Sequence, residues 1–218
     1  GTYTFAPADD VNADDVPFSF TVSDGTTTDS ATAVMDITAV NDAAEVSGPV
    51  EFEMSEDGSI TIYEAGLLAN ASDVDGDTLS VQNLAASGGT MTDNGDGTWT
   101  FEPADDFNGT INLTYDVNDG TVDTAATGSI DVGAVNDGPV AGNVDLGATA
   151  EDTSVTFSEA DLLANSSDID GDSLSVTSVS VSAEYGTLTD NGDGTYTFAP
   201  ADDVNADDVP FSFTVSDG

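Results

Sequence analysis

The chain has 218 residues, of which 43 are Asp or Glu and none is Lys, Arg or His, for a formal charge of −43. Affinity for nucleic acid and for anionic membrane surfaces comes from Lys and Arg, so both partners are excluded; no window approaches the ~20 apolar residues of a membrane helix. A hydrophobic content of 38% with ten Phe, arranged in short alternating runs, is nevertheless enough to bury one or two cores, which acidic disordered tails cannot do.

The chain repeats itself. Val40-Asn41-Asp42 returns as Val135-Asn136-Asp137, and Gly66-Leu67-Leu68-Ala69-Asn70 returns as Asp161-Leu162-Leu163-Ala164-Asn165, both 95 residues on. Residues 1–25 and 194–218 are identical, whereas neither closely matches 97–120, so alternate repeats are copies and neighbours are cousins. This divides the chain into 1–40, the C-terminal part of a first repeat; 41–135, a complete repeat; and 136–218, a third repeat that stops before its last strand. The opening Gly1-Thr2-Tyr3 is neither an initiator nor a signal peptide, and the expectation is a segment cut from inside a longer protein.

In chain order, Thr26 to Ser30 leads into a predicted strand over 33–40. Ser59 to Tyr63 alternates and meets a short helical turn at Glu64 to Leu68, whose counterpart begins Ser158-Glu159-Ala160-Asp161, a capping box in form. Strands follow at Thr78 to Leu84 and Gly89 to Thr92. Asn94-Gly95-Asp96-Gly97 supplies the positive φ of a hairpin turn. Thr98 to Phe101 comes next with Trp99 and Phe101 on one face, matched by Tyr196 with Phe198 and Tyr3 with Phe5. Ile111 to Val117 has the half-buried antiparallel pattern, copied at Phe211 to Val215, and a last strand covers about Ala125 to Val135. Six or seven strands in each repeat with turn signals throughout predict an all-β fold of tandem antiparallel β-sandwiches. The aromatics are read as core; the alternative is a sugar-binding platform.

The stretch Ser72-Asp73-Val74-Asp75-Gly76-Asp77-Thr78-Leu79 recurs as Ser167-Asp168-Ile169-Asp170-Gly171-Asp172-Ser173-Leu174. Each pair of carboxylates at about 4 Å repels by roughly 1 kcal/mol in water, and the chain has no cationic side chain to offset this. Hard oxygen donors select a hard cation, and Ca²⁺ accepts 6–8 of them in flexible geometry. An EF-hand is excluded, because counting from Asp73 its Gly and Glu positions hold Thr78 and Leu84. The turns at 94–97 and 191–194 are read as turns alone.

Ala134-Val135-Asn136-Asp137-Gly138-Pro139 is similar to the linker of cadherins, Asp168-Ile169-Asp170 resembles their Asp-x-Asp motif, and Glu151-Asp152 and Asp217-Gly218 add to the likeness. The whole chain resembles the cadherin-like and immunoglobulin-like tandem repeats of giant bacterial surface proteins, including RTX adhesins of biofilm-forming bacteria. It departs from cadherins at Ala39 and Ala134, where the linker has Asp, and at Pro103 to Phe107, where cadherins have Asp-Arg-Glu; fewer ions per linker follow. Glycine-rich RTX nonapeptides are absent, which points to the extender region. The resemblance implies a rod of sandwiches with calcium between consecutive repeats. One junction would use Asp10, Asn41, Asp42, Asp73, Asp75 and Asp119; the next would use Glu56, Asp105, Asp106, Asn136, Asp137, Asp168, Asp170 and Asp217. Asp77 and Asp172 lack a cadherin counterpart and serve these sites or one of their own.

With no His, Cys or Lys, the usual bases, nucleophiles and zinc ligands are missing, and an active site would not need copying in every repeat, so no enzyme is expected. The expected function is a calcium-rigidified extender of a large secreted, cell-surface bacterial adhesin, holding distal binding domains away from the cell. A carbohydrate-binding or homophilic adhesion module is the alternative. The expected partners are neighbouring repeats of the same chain, with head-to-tail assembly and a polysaccharide or cell-surface ligand reached through other domains. The absence of cysteine fits export, and the charge calls for divalent ions or high salt.

Overall fold

A computed structural model describes all 218 residues. The chain groups into two compact units, Gly1–Ala134 and Val135–Gly218. Strand accounts for 47% of residues and helix for 4%, so the fold is all-β, built of several small, mainly antiparallel sheets.

The first unit opens with a hairpin of β1 (Ala13–Ser23) and β2 (Thr28–Ile37), in which Phe18 lies opposite Ala33 and Phe20 opposite Ala31. Its turn closes on Asp24, whose Oδ1 accepts the N–H groups of Thr26 (2.8 Å) and Thr27 (2.7 Å). There follow β3 (Glu45–Val46), β4 (Val50–Ser55), β5 (Ile60–Tyr63), α1 (Glu64–Leu67), β6 (Ala71–Ser72), β7 (Ser80–Ala86), β8 (Thr90–Asp93), β9 (Thr98–Glu102), β10 (Gly109–Asn118) and β11 (Asp123–Gly133). They form sheets β4-β11-β10-β7 and β5-β9-β8 and the short pair β3-β6.

Alternation along β10 drives the packing: Ile111, Leu113, Tyr115 and Val117 are buried while Thr110, Asn112 and Thr114 face water. With Ile62, Leu67, Phe101 and Ile130 they make the core, each such side chain contributing about 1.5–3 kcal/mol on burial. The Tyr115 hydroxyl donates to the Leu67 carbonyl (2.8 Å), which satisfies its one polar atom and ties the helical turn to the sheet. β4 pairs with β11 in parallel over six rungs, from Gly128 opposite Val50 to Gly133 opposite Ser55. Glycine is required there, since a Cβ on Gly128 would come within 2.7 Å of Val50 Cγ2 and 2.9 Å of its carbonyl oxygen.

Two predicted strands shift by two residues, Thr78 to Leu84 becoming Ser80–Ala86 and Ala125 to Val135 becoming Asp123–Gly133. Both differences come from Asn118, which pairs with Ser80 on one side and Asp123 on the other. The ladder therefore begins as soon as the Asp119-Gly120 turn closes, leaving Thr78 in the acidic loop.

The second unit contains β12 (Val155–Ser158), α2 (Glu159–Leu162), β13 (Ser175–Val181), β14 (Gly186–Asp190), β15 (Thr195–Pro200) and β16 (Phe211–Ser216). Sheets β12-β15-β14 and β13-β16 enclose Phe157, Leu162, Tyr196 and Phe198. The expected capping box is present: Ser158 Oγ accepts the Asp161 N–H (3.2 Å) and Asp161 Oδ2 accepts the Ser158 N–H (2.8 Å). The identical segments differ in burial, Tyr196 and Phe198 being 9% and 4% exposed, Tyr3 and Phe5 100% and 45%.

Candidate metal centre

Within the first unit, the loop after β6 reverses at Gly76 (φ +80°), and the Asp77 N–H donates back to Asp73 Oδ1 (3.1 Å). Oxygens of Asp73, Asp75 and Asp77 consequently lie within 4.8 Å of one another. The linker comes to the same place: the Asp42 N–H donates to Asp75 Oδ2 (2.7 Å), and Asn41 Nδ2 donates to Asp119 Oδ2 (3.0 Å). Asp119 is 5% exposed, and its other oxygen accepts the N–H groups of Thr121 and Val122, both at 2.7 Å, and the Thr121 hydroxyl at 2.8 Å. The Val122 N–H, then the Asn41 amide and the Thr121 N–H, hold its carboxyl well below the usual carboxylate range.

Asp10, from the first predicted repeat, also reaches this site. It takes a left-handed conformation (φ 58°) and brings its charge up against Asp42. Desolvation, then the negative charges of Asp10, Asp75 and Asp73, push the Asp42 carboxyl up. Four carboxylates from two predicted repeats thus oppose one another with no positive side chain nearby or anywhere else in the chain.

The second unit repeats the loop. Gly171 (φ +80°) turns it, the Asp172 N–H donates to Asp168 Oδ1 (3.1 Å), and Asp168, Asp170 and Asp172 bring oxygens within 4.8 Å. The Asp137 N–H donates to Asp170 Oδ2 (2.7 Å) and Asn136 Nδ2 to Asp217 Oδ2 (2.8 Å), the latter contact lowering the Asp217 carboxyl.

At the β4 and β9 ends of the first unit, Glu56 is buried (3% exposed) and its N–H donates to the Gly133 carbonyl (3.0 Å). Asp106 (φ 55°) lies beside Asp57 (φ 61°), their oxygens within 4.8 Å. Asp105 is exposed and lines a shallow cavity with Asp57, Ser59 and Glu102. Asp57 was not among the predicted ligands. Its signal is present in Glu56-Asp57-Gly58 and again in Glu151-Asp152, where Asp152 also has positive φ (58°).

The donor set fits a hard divalent cation. Asp73 Oδ2 and Asp168 Oδ2 are shielded from water and have no hydrogen-bond partner, an expensive state for a carboxylate oxygen unless a cation completes it. Oxygens within 4.8 Å of one another are also within reach of one ion with bonds of about 2.3–2.6 Å.

The model of the cadherin-like domain matches residues 40–133 and 135–218. This chain belongs to the cadherin-like domain family. Among solved structures, the human desmocollin-1 ectodomain is 16% identical to this cadherin-like chain, covering 88% of it and 37% of its own length at a TM-score of 0.41. An endo-fucoidan hydrolase of glycoside hydrolase family 107 is 17% identical, with 93% and 33% covered and a TM-score of 0.37. The titin z1z2 domains are 12% identical, with 83% and 92% covered and a TM-score of 0.29. The cadherin-like chain spans about a third of the length of the fucoidan hydrolases it matches. None of the curated proteins matches it.

Proposed function

We propose that this cadherin-like chain is a non-catalytic, calcium-rigidified spacer of a large secreted bacterial surface adhesin, holding distal binding domains away from the cell. Tandem cadherin-like domains support an adhesion or spacer role, and no helix is long and apolar enough to cross a membrane. The observation that carries the calcium reading is the meeting of Asp10 with Asp42, Asp73 and Asp75 in a chain without a cationic side chain.

Asp10, Asp42, Asp73, Asp75 and Asp77 would hold the ion in the first unit, and Asp137, Asp168, Asp170 and Asp172 in the second. When bound, Ca²⁺ supplies the positive charge that lets these carboxylates converge. Asn41 and Asn136 orient Asp119 and Asp217 through their amides. Because Asp10 and Asp42 belong to different predicted repeats, neutralising them stiffens the step between repeats more than it folds either one.

Small-angle scattering with and without chelator tests this. Calcium is expected to narrow the distribution of dimensions and chelation to broaden it, with Kd about 10⁻⁴–10⁻³ M as in extracellular modules. Identical profiles in both conditions would sink the proposal.

A further inference from the structure

The chain contains three Asn-Gly pairs, at 94–95, 108–109 and 191–192. In such a pair the glycine nitrogen can attack the asparagine Cγ, because no Cβ obstructs the approach. A bond forms between Gly N and Asn Cγ as the Cγ–Nδ2 bond breaks, and the amide nitrogen leaves as ammonia with the glycine proton. The resulting five-membered imide takes up one water at either carbonyl to give aspartate or isoaspartate. No reagent other than water is needed.

We infer that Asn108–Gly109 is a site of spontaneous covalent self-modification, while the fold holds the two hairpin pairs inert. In the β8–β9 hairpin both reacting groups are engaged. The Gly95 N–H donates to Asp93 Oδ1 (2.8 Å), and that anion opposes its deprotonation. Asn94 Nδ2 donates to Thr98 Oγ1 (2.9 Å) and Thr100 Oγ1 (3.1 Å), which pins the carboxamide against rotation towards the backbone. The β14–β15 hairpin repeats the clamp: Gly192 N–H donates to Asp190 Oδ1 (2.9 Å), and Asn191 Nδ2 to Thr195 Oγ1 (2.9 Å) and Thr197 Oγ1 (3.0 Å).

Asn108 has no such restraint. Its side chain is exposed and makes no hydrogen bond, and Gly109 is the first residue of β10, where a ladder opens most readily. It lies two residues after Asp106, so reaction adds a carboxylate there, and the isoaspartate form also adds a methylene to the main chain leading into β10.

The test is to age the full chain at mildly alkaline pH, folded in high salt and in parallel in urea. Pepsin is used for digestion because trypsin has no Lys or Arg to cut at. Mass spectrometry follows the amide-to-acid mass change, and enzymatic methylation counts isoaspartate. In the folded chain Asn108 is expected to convert about tenfold or more ahead of Asn94 and Asn191, since each ~1.4 kcal/mol of opening free energy changes the open fraction tenfold. In urea all three should convert at similar rates. The double variant Asp93→Asn with Thr100→Val should bring Asn94 towards the rate of Asn108, while Asn191 in the same molecule stays slow and reports on folding. Equal rates at all three pairs in the folded chain, or an inert Asn108 over the time in which the urea sample converts, would overturn the inference.

Discussion

Asp119 shows how one side chain fastens a turn and prepares a site. One of its oxygens takes two backbone N–H groups and a hydroxyl, the other takes Asn41, and all four favour the ionised form. A carboxyl lowered in the folded state stabilises above the unfolded carboxylate pKa, about 3.9, and loses that contribution as pH falls through this range towards its depressed value. Asp119→Asn should therefore be less stable than wild type at neutral pH, with the gap in urea midpoint narrowing from about pH 5 downward; a gap that stays constant would count against the assignment. Asp170 acts differently, because it accepts the Asp137 N–H and also faces Asp168 and Asp172. Asp170→Ala should lower the calcium stoichiometry measured by calorimetry and leave the 191–194 hairpin signals in NMR spectra in place. Unchanged stoichiometry would remove Asp170 from the ligand set.

At the scale of elements, Glu64 spans the interior edge of its repeat. Its N–H donates to the Gly97 carbonyl (3.0 Å) and its Oε1 accepts the Val81 N–H (2.9 Å), so the helical turn joins the β8–β9 hairpin to β7. Glu159 holds Gly194 and Val176 in the same way. Glu64→Ala leaves the half-buried Val81 N–H without its acceptor and should cost about 1–3 kcal/mol in urea unfolding, most of which Glu64→Gln should recover. Equal losses in the two variants would mean that packing, not this bond, is what matters. The Glu64 clamp was not legible in the sequence, because a glutamate opening a helical turn looks like a solvated first-turn residue. The strands and capping box were legible, because alternation and the Ser-x-x-Asp spacing are local patterns. What local pattern cannot supply is the partner. Residues 1–25 and 194–218 have one sequence, and even the ring contact is shared, Phe5–Phe18 at 5.0 Å and Phe198–Phe211 at 5.2 Å. Yet Ala13–Ser23 is strand along its length where the copy is strand only over Phe211–Ser216, because β2 pairs with the first and has no equivalent beside the second. The loop carboxylates were legible by spacing, whereas Asp57 owes its place to a left-handed backbone beside Asp106, 49 residues away in sequence.

For the whole molecule, a charge of −43 means that any added salt relieves self-repulsion, so a rise in melting temperature with calcium is not by itself a sign of binding. The two effects separate at equal ionic strength. Site binding adds RT ln(1 + [L]/Kd), about 2.7 kcal/mol at a hundredfold excess over Kd, whereas screening depends on ionic strength alone. Calcium should raise the melting temperature above that in sodium chloride of matched ionic strength, and chelator should abolish the difference. Coincident melting curves would reduce the carboxylate clusters to solvated loops.

The parallel alignment of β4 with β11 also decides how a repeat of this kind answers to force. Tension applied through the segment before Val50 and the segment after Gly133 draws the two strands past each other along their common axis, and the six rungs carry the load at once in shear. The antiparallel β10–β11 hairpin, pulled at its open end, would instead yield one rung at a time. Gly128→Ala, which drives a methyl group against Val50 at one end of the sheared ladder, should lower the rupture force in single-molecule pulling. A repeat built this way resists stretching through its backbone, in flowing water as much as at rest.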